Sequence, residues 1–395
     1  KRQMSTGSMT DPEQFVIVDD HTVRIDFEQR DRFSLPNLAI IFPAIFNSKL
    51  ARQHATESDP WATEWLSQNT AAGGAYTVES FTPGEQISFA RFDDWKGGPL
   101  PDFKRVVHRL VPTASSRGVA LERGDTDIAM VLPPQELSSL DDKPGVKVVS
   151  VPMRNAFQLI GMNNQMAPFD DVNVRLAVAH ALPYEQMFNG VLYGRGRPLF
   201  NGTEWEPTTT EWPAPQPYST DYDKARDYLA KAGLADGFET TFSFNIAEEA
   251  IAEPTSILVQ ESLANVGIKV EINKVPNAQM GTLLTEKKLP LYFEQSAAWL
   301  NDPDYFFRIF YSGDWRWNYG SFVNEEMTEL LEASRFESDQ DKYDAMVKRM
   351  IEIVYANAPV VLLWQPSLDV PMREEIEGYT YYFHRQVDYR PLTRA

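Results

Sequence analysis

Apolar and polar positions along this chain follow two alternating periods, and the switches between them outline a mixed α/β protein. The clearest run begins at Asp221. Ala225, Tyr228, Leu229 and Ala232 fall on one helical face and Gly233 stops the helix, the spacing and terminator of a helix with one buried side. Phe238–Asn245 (FETTFSFN) then alternates as a strand. Pro254 is expected to open the next helix, with Val259, Leu263 and Val266 inward and Gly267 beyond its end. Ile268, Val270 and Ile272 alternate again. Asn324 caps a helix carrying Met327, Leu330 and Leu331. Asp339 starts a longer one through Tyr343, Met346, Val347, Met350 and Val354, which Pro359 ends ahead of a buried strand, Val360–Trp364.

The first half is more strand-like. Phe15–Glu28 reads as two short strands around an Asp-Asp turn, the second half-buried because Val23, Ile25 and Phe27 alternate with polar residues. Gly73 and Gly74 precede a strand pair closed by the turn at Phe92–Gly98. Val119–Val131 predicts a helix end, a glycine stop and a strand. Val146–Val151 and Phe157–Met162 are further strands, and Phe169-Asp170-Asp171 caps a helix through Leu182. Gly202–Tyr218, rich in Pro and Thr, is the strongest loop signal.

Length and charge narrow the class. A chain of 395 residues predicts two or more lobes. The longest apolar run, Leu38–Phe46, has nine residues and an internal proline, too short to cross a bilayer. A net charge of −19 repels phosphate backbones, so no nucleic-acid partner is expected. The absence of cysteine excludes disulfides, thiol catalysis and Cys-based metal sites. KRQMSTGSM at the start has no apolar signal-like core, so either a signal peptide has been removed or the chain begins inside a longer protein.

Candidate chemistry concentrates in Tyr292–Phe322, where twelve of thirty-one residues are aromatic against 12% in the whole chain. These rings fill a core or line a ligand cleft; the admixture of Asp, Asn, Ser and Gly among the tryptophans favours the cleft. Signatures of nucleotide binding, zinc hydrolysis and serine esterases do not occur. His21, His54, His108, His180 and His384 lack metal-ligand spacing, so no metal and no cofactor is expected. Asp302 and Asp304 are the one carboxylate pair with a claim to acid–base work, as in a glycoside hydrolase. Two residues apart around Pro303, they more naturally point different ways, and one of them meeting a cationic or polyhydroxyl ligand is the favoured alternative.

Eight collinear stretches carry a family resemblance: VIVDDHTVRIDFE, GGAY, FARFDDWKGG, ALERGDTDIA, APFDDVNVRLAVAHAL, DYDKARDYLAKAGLADGF, SLANVGIKVEI and AWLNDPDYFFRIFYSG. In order and content they resemble the extracytoplasmic solute-binding proteins of the peptide, oligopeptide and nickel class (family 5, cluster C) that serve ABC importers. The resemblance implies a two-lobed α/β periplasmic-binding-protein fold of type II with an extra subdomain whose N-terminal portion lies outside this chain, as a separate chain, a removed segment or a truncation. It implies residues 1–45 as the remnant of that subdomain, 46–155 with 366–395 as the first lobe, and 156–365 as the second. The function implied is non-enzymatic: a periplasmic monomer that captures a small solute, a peptide before an oligosaccharide or opine, by hinge closure and delivers it to a membrane permease.

Peptide-binding relatives carry a tryptophan followed three residues later by an aspartate for the peptide amino terminus, a spacing that Trp299 and Asp302 share. Here Pro303 follows at once, whereas those relatives have further residues before the proline. Ser296 stands where one peptide binder has Arg, and Ala298 where it has Gly. The expected ligand-binding set is Ser296, Ala298, Trp299, Asn301, Asp302, Tyr305, Trp315, Trp317 and Trp364.

Overall fold

The computed structural model describes residues 7–40, 45–202 and 209–395. The opening basic stretch, the middle of the apolar run at 38–46 and the first half of the Pro/Thr-rich loop lie partly outside the described residues. By contact the chain divides into two compact units, Lys1–Ile40 with Pro152–Ser367, and Ile41–Val151 with Leu368–Ala395.

In chain order, β1 (Phe15–Asp19) and β2 (Thr22–Ile25) form an antiparallel hairpin in the first unit. Its second strand and the residues just after it are half-buried where the alternation predicts, at Ile25 and Phe27, between exposed Arg24, Asp26 and Glu28, whereas Val23 and, in β1, Ile17 and Val18 are exposed.

The smaller unit holds the antiparallel sheet of β3 (Tyr76–Thr82), β4 (Gln86–Arg91) and β5 (Arg105–Arg109). Helix Ala114–Arg123 follows, capped by Thr113 and stopped by Gly124 at φ 77°, a left-handed position glycine takes without penalty. The strand predicted after it shrinks to a single bridge, Ile128 to Met372. β6 (Val146–Pro152) pairs with a late strand, Ser367–Arg373. Leu121, Leu137, Leu140 and Val146 form one small core there, and Val370, Met372, Ile376 and Leu392 another.

The larger unit is built on six strands among the described residues: β7 (Ala156–Met162), β8 (Arg197–Pro198), β9 (Phe238–Asn245), β10 (Ile268–Val275), β11 (Leu291–Ala297) and β12 (Val360–Gln365). Their order in the sheet is β10-β9-β11-β7-β12-β8. β9 runs parallel to both β10 and β11, whereas β7 is antiparallel to β11 and β12. β13 (Ser367–Arg373), β14 (Ile376–Glu377) and β15 (Thr393–Arg394) return to the smaller unit.

Helix Val172–Ala181 starts at Asp171 and Tyr222–Lys231 at Asp221; in each the cap carboxylate accepts from the first-turn backbone. The crossover helix between β9 and β10 is Glu249–Ala264, so Pro254 sits inside it and does not open it. A 3-10 turn, Ile246–Glu248, capped by Asn245, feeds straight into the helix and starts it early. The Pro254 ring leaves the carbonyl of residue 250 without its helical donor, at an exposed residue on the first turn. The main core joins Ile160, Phe242, Phe244, Leu291, Phe293, Val361 and Leu363 to the buried faces of these helices.

Candidate functional site

β11 lies between β9 and β7 in the middle of the sheet. Successive side chains on a strand take opposite faces. Leu291 and Phe293 point into the main core, so Tyr292, Glu294 and Ser296 take the other face. There they line a narrow recess with Leu159 of β7, Phe310, Tyr311, Trp317 and Tyr319. Gly161 faces Tyr292 across the ladder. A Cβ there would sit 2.2 Å from the Tyr292 ring, so the phenol lies flat over β7 only because this position is glycine.

Among the described residues, Glu294 is the only acid lining the recess. Burial pushes its carboxyl up to about 8, with the neighbouring Glu248 adding to the rise and the Gln295 backbone N–H pulling the other way. Glu248, beside the start of the crossover helix, is itself raised by burial. The Tyr319 phenol is raised to about 12, first by burial and then by Glu294. At neutral pH the recess therefore holds a protonated carboxyl and neutral phenols.

The aromatic loop over the recess is held by two asparagines. Asn318, fully buried, donates from Nδ2 to the carbonyls of Gly313 (2.9 Å) and Phe322 (2.8 Å), and its Oδ1 accepts from Phe322 N–H (3.1 Å). Asn164 then ties the loop to the sheet, donating to the carbonyls of Met162, Gly320 and Pro359. A side chain at Gly320 would meet the Met162 carbonyl at 2.7 Å. The backbone of this segment is thereby fixed, and Trp315 and Trp317 project from it, both exposed.

The Asp302-Pro303-Asp304 turn proves to be a helix start. Asp302 caps helix Pro303–Phe310, accepting from Asp304 N–H at 3.0 Å and from the Tyr343 hydroxyl at 2.6 Å. Arg32 Nε lies 3.7 Å from its other oxygen, with the guanidinium 3.4 Å over the Tyr343 ring. Asp304 is completely buried and takes two bonds from Arg308, at 2.9 and 3.0 Å, with the Ser334 hydroxyl as third partner. Burial pushes the Asp304 carboxyl up and the Arg308 guanidinium pulls it back. The two acids point to different partners and face no common space for a sugar, the arrangement a glycoside hydrolase needs.

The expected residues scatter accordingly. Ser296 and Trp317 meet in the recess. Ala298 is buried, pinned by exchanged bonds with Asn155 at the end of β11. Trp299 and Asn301 follow on the surface. Tyr305 is buried edge-on against Phe33. Trp364 is fully buried, donating to Gln158; its register partner places it on the sheet face opposite Glu294. Sequence reasoning missed Glu294, Asn164 and Asn318. A glutamate between core-forming strand residues in LYFEQSA was the available signal for the first; the asparagines gave none.

A family model described as "Bacterial extracellular solute-binding proteins, family 5 Middle" matches residues 1–318. The probable D,D-dipeptide-binding periplasmic protein of Escherichia coli K12 is 27% identical over 371 residues, 92% of this chain and 69% of that protein. A Helicobacter pylori periplasmic binding protein, solved with the peptide STSA, superposes with a TM-score of 0.80 at 22% identity, covering 99% of this chain and 76% of its own. The Brucella suis protein NikA, solved with Fe(III)-EDTA, gives 0.82 at 18% identity over 100% and 81%. The fold is the two-lobed α/β periplasmic-binding fold.

Proposed function

The chain belongs to the bacterial extracellular solute-binding proteins, family 5, and we propose that within it the chain is a receptor for a short peptide, delivered to the permease of an ABC importer. Membership makes it an extracytoplasmic receptor and not an enzyme. The reading of the solute as a peptide is supported first by the relatives, among which proteins described as binding dipeptides recur.

The observation that carries the site is the end of β11. Asn155 fixes Ala298 from both sides of the peptide unit, and the chain then turns Trp299 outward, 38% exposed. An aromatic ring held on a rigid strand end gives a large apolar contact at little entropic cost. Asp302 is engaged by its own helix and Tyr343, so Trp299 is the stronger candidate contact of the pair.

Native mass spectrometry of freshly purified protein identifies a retained solute, and calorimetry with a tripeptide such as Ala-Ala-Ala measures the affinity. Trp299→Ala is expected to weaken binding by about 2 kcal/mol or more, as a buried aromatic anchor does. Unchanged affinity removes Trp299 from the site. An oligosaccharide retained in place of a peptide overturns the solute class.

A further inference from the structure

We propose that the recess beside β11 is a subsite for a primary ammonium group of the solute, with Glu294 as its counter-ion and Tyr292, Trp317 and Tyr319 as its walls. The inference rests on reading the chain as a solute receptor, but not on the solute being a peptide.

Three observations point to this chemistry. The recess is small, enclosing about 270 Å³ with its open mouth included and narrow enough at its floor for one water-sized group. That size suits an –NH₃⁺ head and not a sugar ring, an indole or a guanidinium. Half of its lining residues are aromatic, and ring faces attract cations, more strongly once water is removed. Among the described residues its one acid is held without an opposing charge: the charged group that acts on Glu294 is a second acid, Glu248, and no lysine or arginine does. Arg316, the cation of the loop, lies 5.9 Å from the Trp317 ring centroid at the rim and acts on the Tyr319 phenol, but is not among the groups acting on Glu294. Lys287 is 3.7 Å from Asp314.

A carboxyl so placed is costly to ionise while the recess is empty and favourable to ionise once a cation enters. Binding therefore couples to a proton. The ammonium group arrives charged, Glu294 loses its proton to solvent, and the resulting carboxylate accepts the N–H bonds. Glu248 adds to the attraction for a cation by the same repulsion that holds the proton on Glu294. Tyr292, Tyr311 and Tyr319, the other titratable groups facing the recess, are all raised by burial and stay neutral through this range.

The ammonium group has two sources in a peptide, its amino terminus and a lysine side chain, and the probes separate them. Pentane-1,5-diamine, Ala-Ala-Ala, N-acetyl-Ala-Ala-Ala and N-acetyl-Lys-Ala-Ala are titrated calorimetrically into the full chain, in buffers of differing ionisation enthalpy, at pH 6, 7 and 8. The expected result is diamine binding that releases close to one proton and strengthens on the order of tenfold per unit as the pH rises toward 8. Glu294→Gln is expected to weaken diamine binding at least tenfold and to abolish its pH dependence. Trp317→Ala, at the exposed rim, weakens it without disturbing a buried position and guards against a folding defect. Loss of affinity on N-acetylation of Ala-Ala-Ala assigns the amino terminus; retention with the lysyl probe assigns the side chain.

The inference is overturned if no amine binds, if binding releases no proton, or if Glu294→Gln binds amines as the wild type does. Peptide binding that survives Glu294→Gln unchanged overturns this subsite and leaves the peptide reading standing. Diamine binding through Glu294 with no peptide binding does the reverse.

Discussion

Replacing Asp304 by Asn separates a structural acid from a ligand contact. The Asp304 side chain is 0% exposed and its partner Arg308 16%. It receives two charge-assisted bonds from Arg308 and one from Ser334. Removing one member of a buried ion pair leaves the other uncompensated, at about 3–5 kcal/mol. Arg308 keeps slight access to water and a bond to the Leu331 carbonyl, which places the expected loss near the lower end, at about 3 kcal/mol. Asp302→Ala makes the comparison. It removes a helix cap, about 1 kcal/mol, and takes an acceptor from the Tyr343 hydroxyl, about 1 kcal/mol more. Asp302→Asn keeps the capping oxygen and is expected to cost less than about 1 kcal/mol. Urea unfolding followed by far-ultraviolet dichroism reads all three from the shift in midpoint at constant slope. The ranking Asp304→Asn, then Asp302→Ala, then Asp302→Asn, with solute affinity little changed, follows from the geometry. Asp304→Asn losing less than about 1 kcal/mol of stability while losing solute binding refutes it.

Three further substitutions address the recess and its loop. Gly161→Ala forces a methyl against the Tyr292 ring and is expected to cost about 1–3 kcal/mol by overpacking; an unchanged melting temperature contradicts the placement of that ring. Asn318→Ala removes three bonds that close the 313–322 loop, so amide exchange across that segment should rise by an order of magnitude or more while β7 and β11 stay protected. Glu294 has its folded pKa raised from 4.5 to about 8. The folded state then binds more protons than the unfolded chain between those values, and stability falls as pH rises through that window. Melting temperatures from pH 5 to pH 9 should show a shallower decline in Glu294→Gln, with the remainder set by Glu248, and parallel curves count against a buried Glu294.

Most of the frame could be read from the residues because each piece is fixed locally. Asp171, Asp221, Asn324 and Asp339 each cap a helix where the spacing placed one, since a cap bonds to a backbone N–H only two or three residues on. Strands β9 to β12 have core faces that declare themselves by alternation or by continuous apolar run. Reading failed where the outcome depends on what packs against an element. In the β1–β2 hairpin Ile25 and Phe27 are half-buried but Val23 is exposed, because alternation specifies which face is apolar and not how far along the strand it is covered. Pro254 is a helix opener only if nothing upstream is already helical, and the Asn245-capped turn has already started the helix before it.

The same distinction explains the aromatic stretch. Its density of rings was visible, but their division was not: Phe293, Phe306 and Phe307 are core, Trp315 and Trp317 are surface, and Tyr292 is flattened against a glycine on another strand. Alternation alone sends Glu294 to the face opposite Phe293. What gives that position its chemistry is burial and Glu248, the burial shared with Leu159 and Tyr319 of the same recess, which the pairing of β11 with β7 and the two asparagines that seat the loop bring beside it. A carboxyl placed by its own strand but tuned by three separate segments has a position legible in one line of sequence and a proton affinity that only the assembled sheet defines.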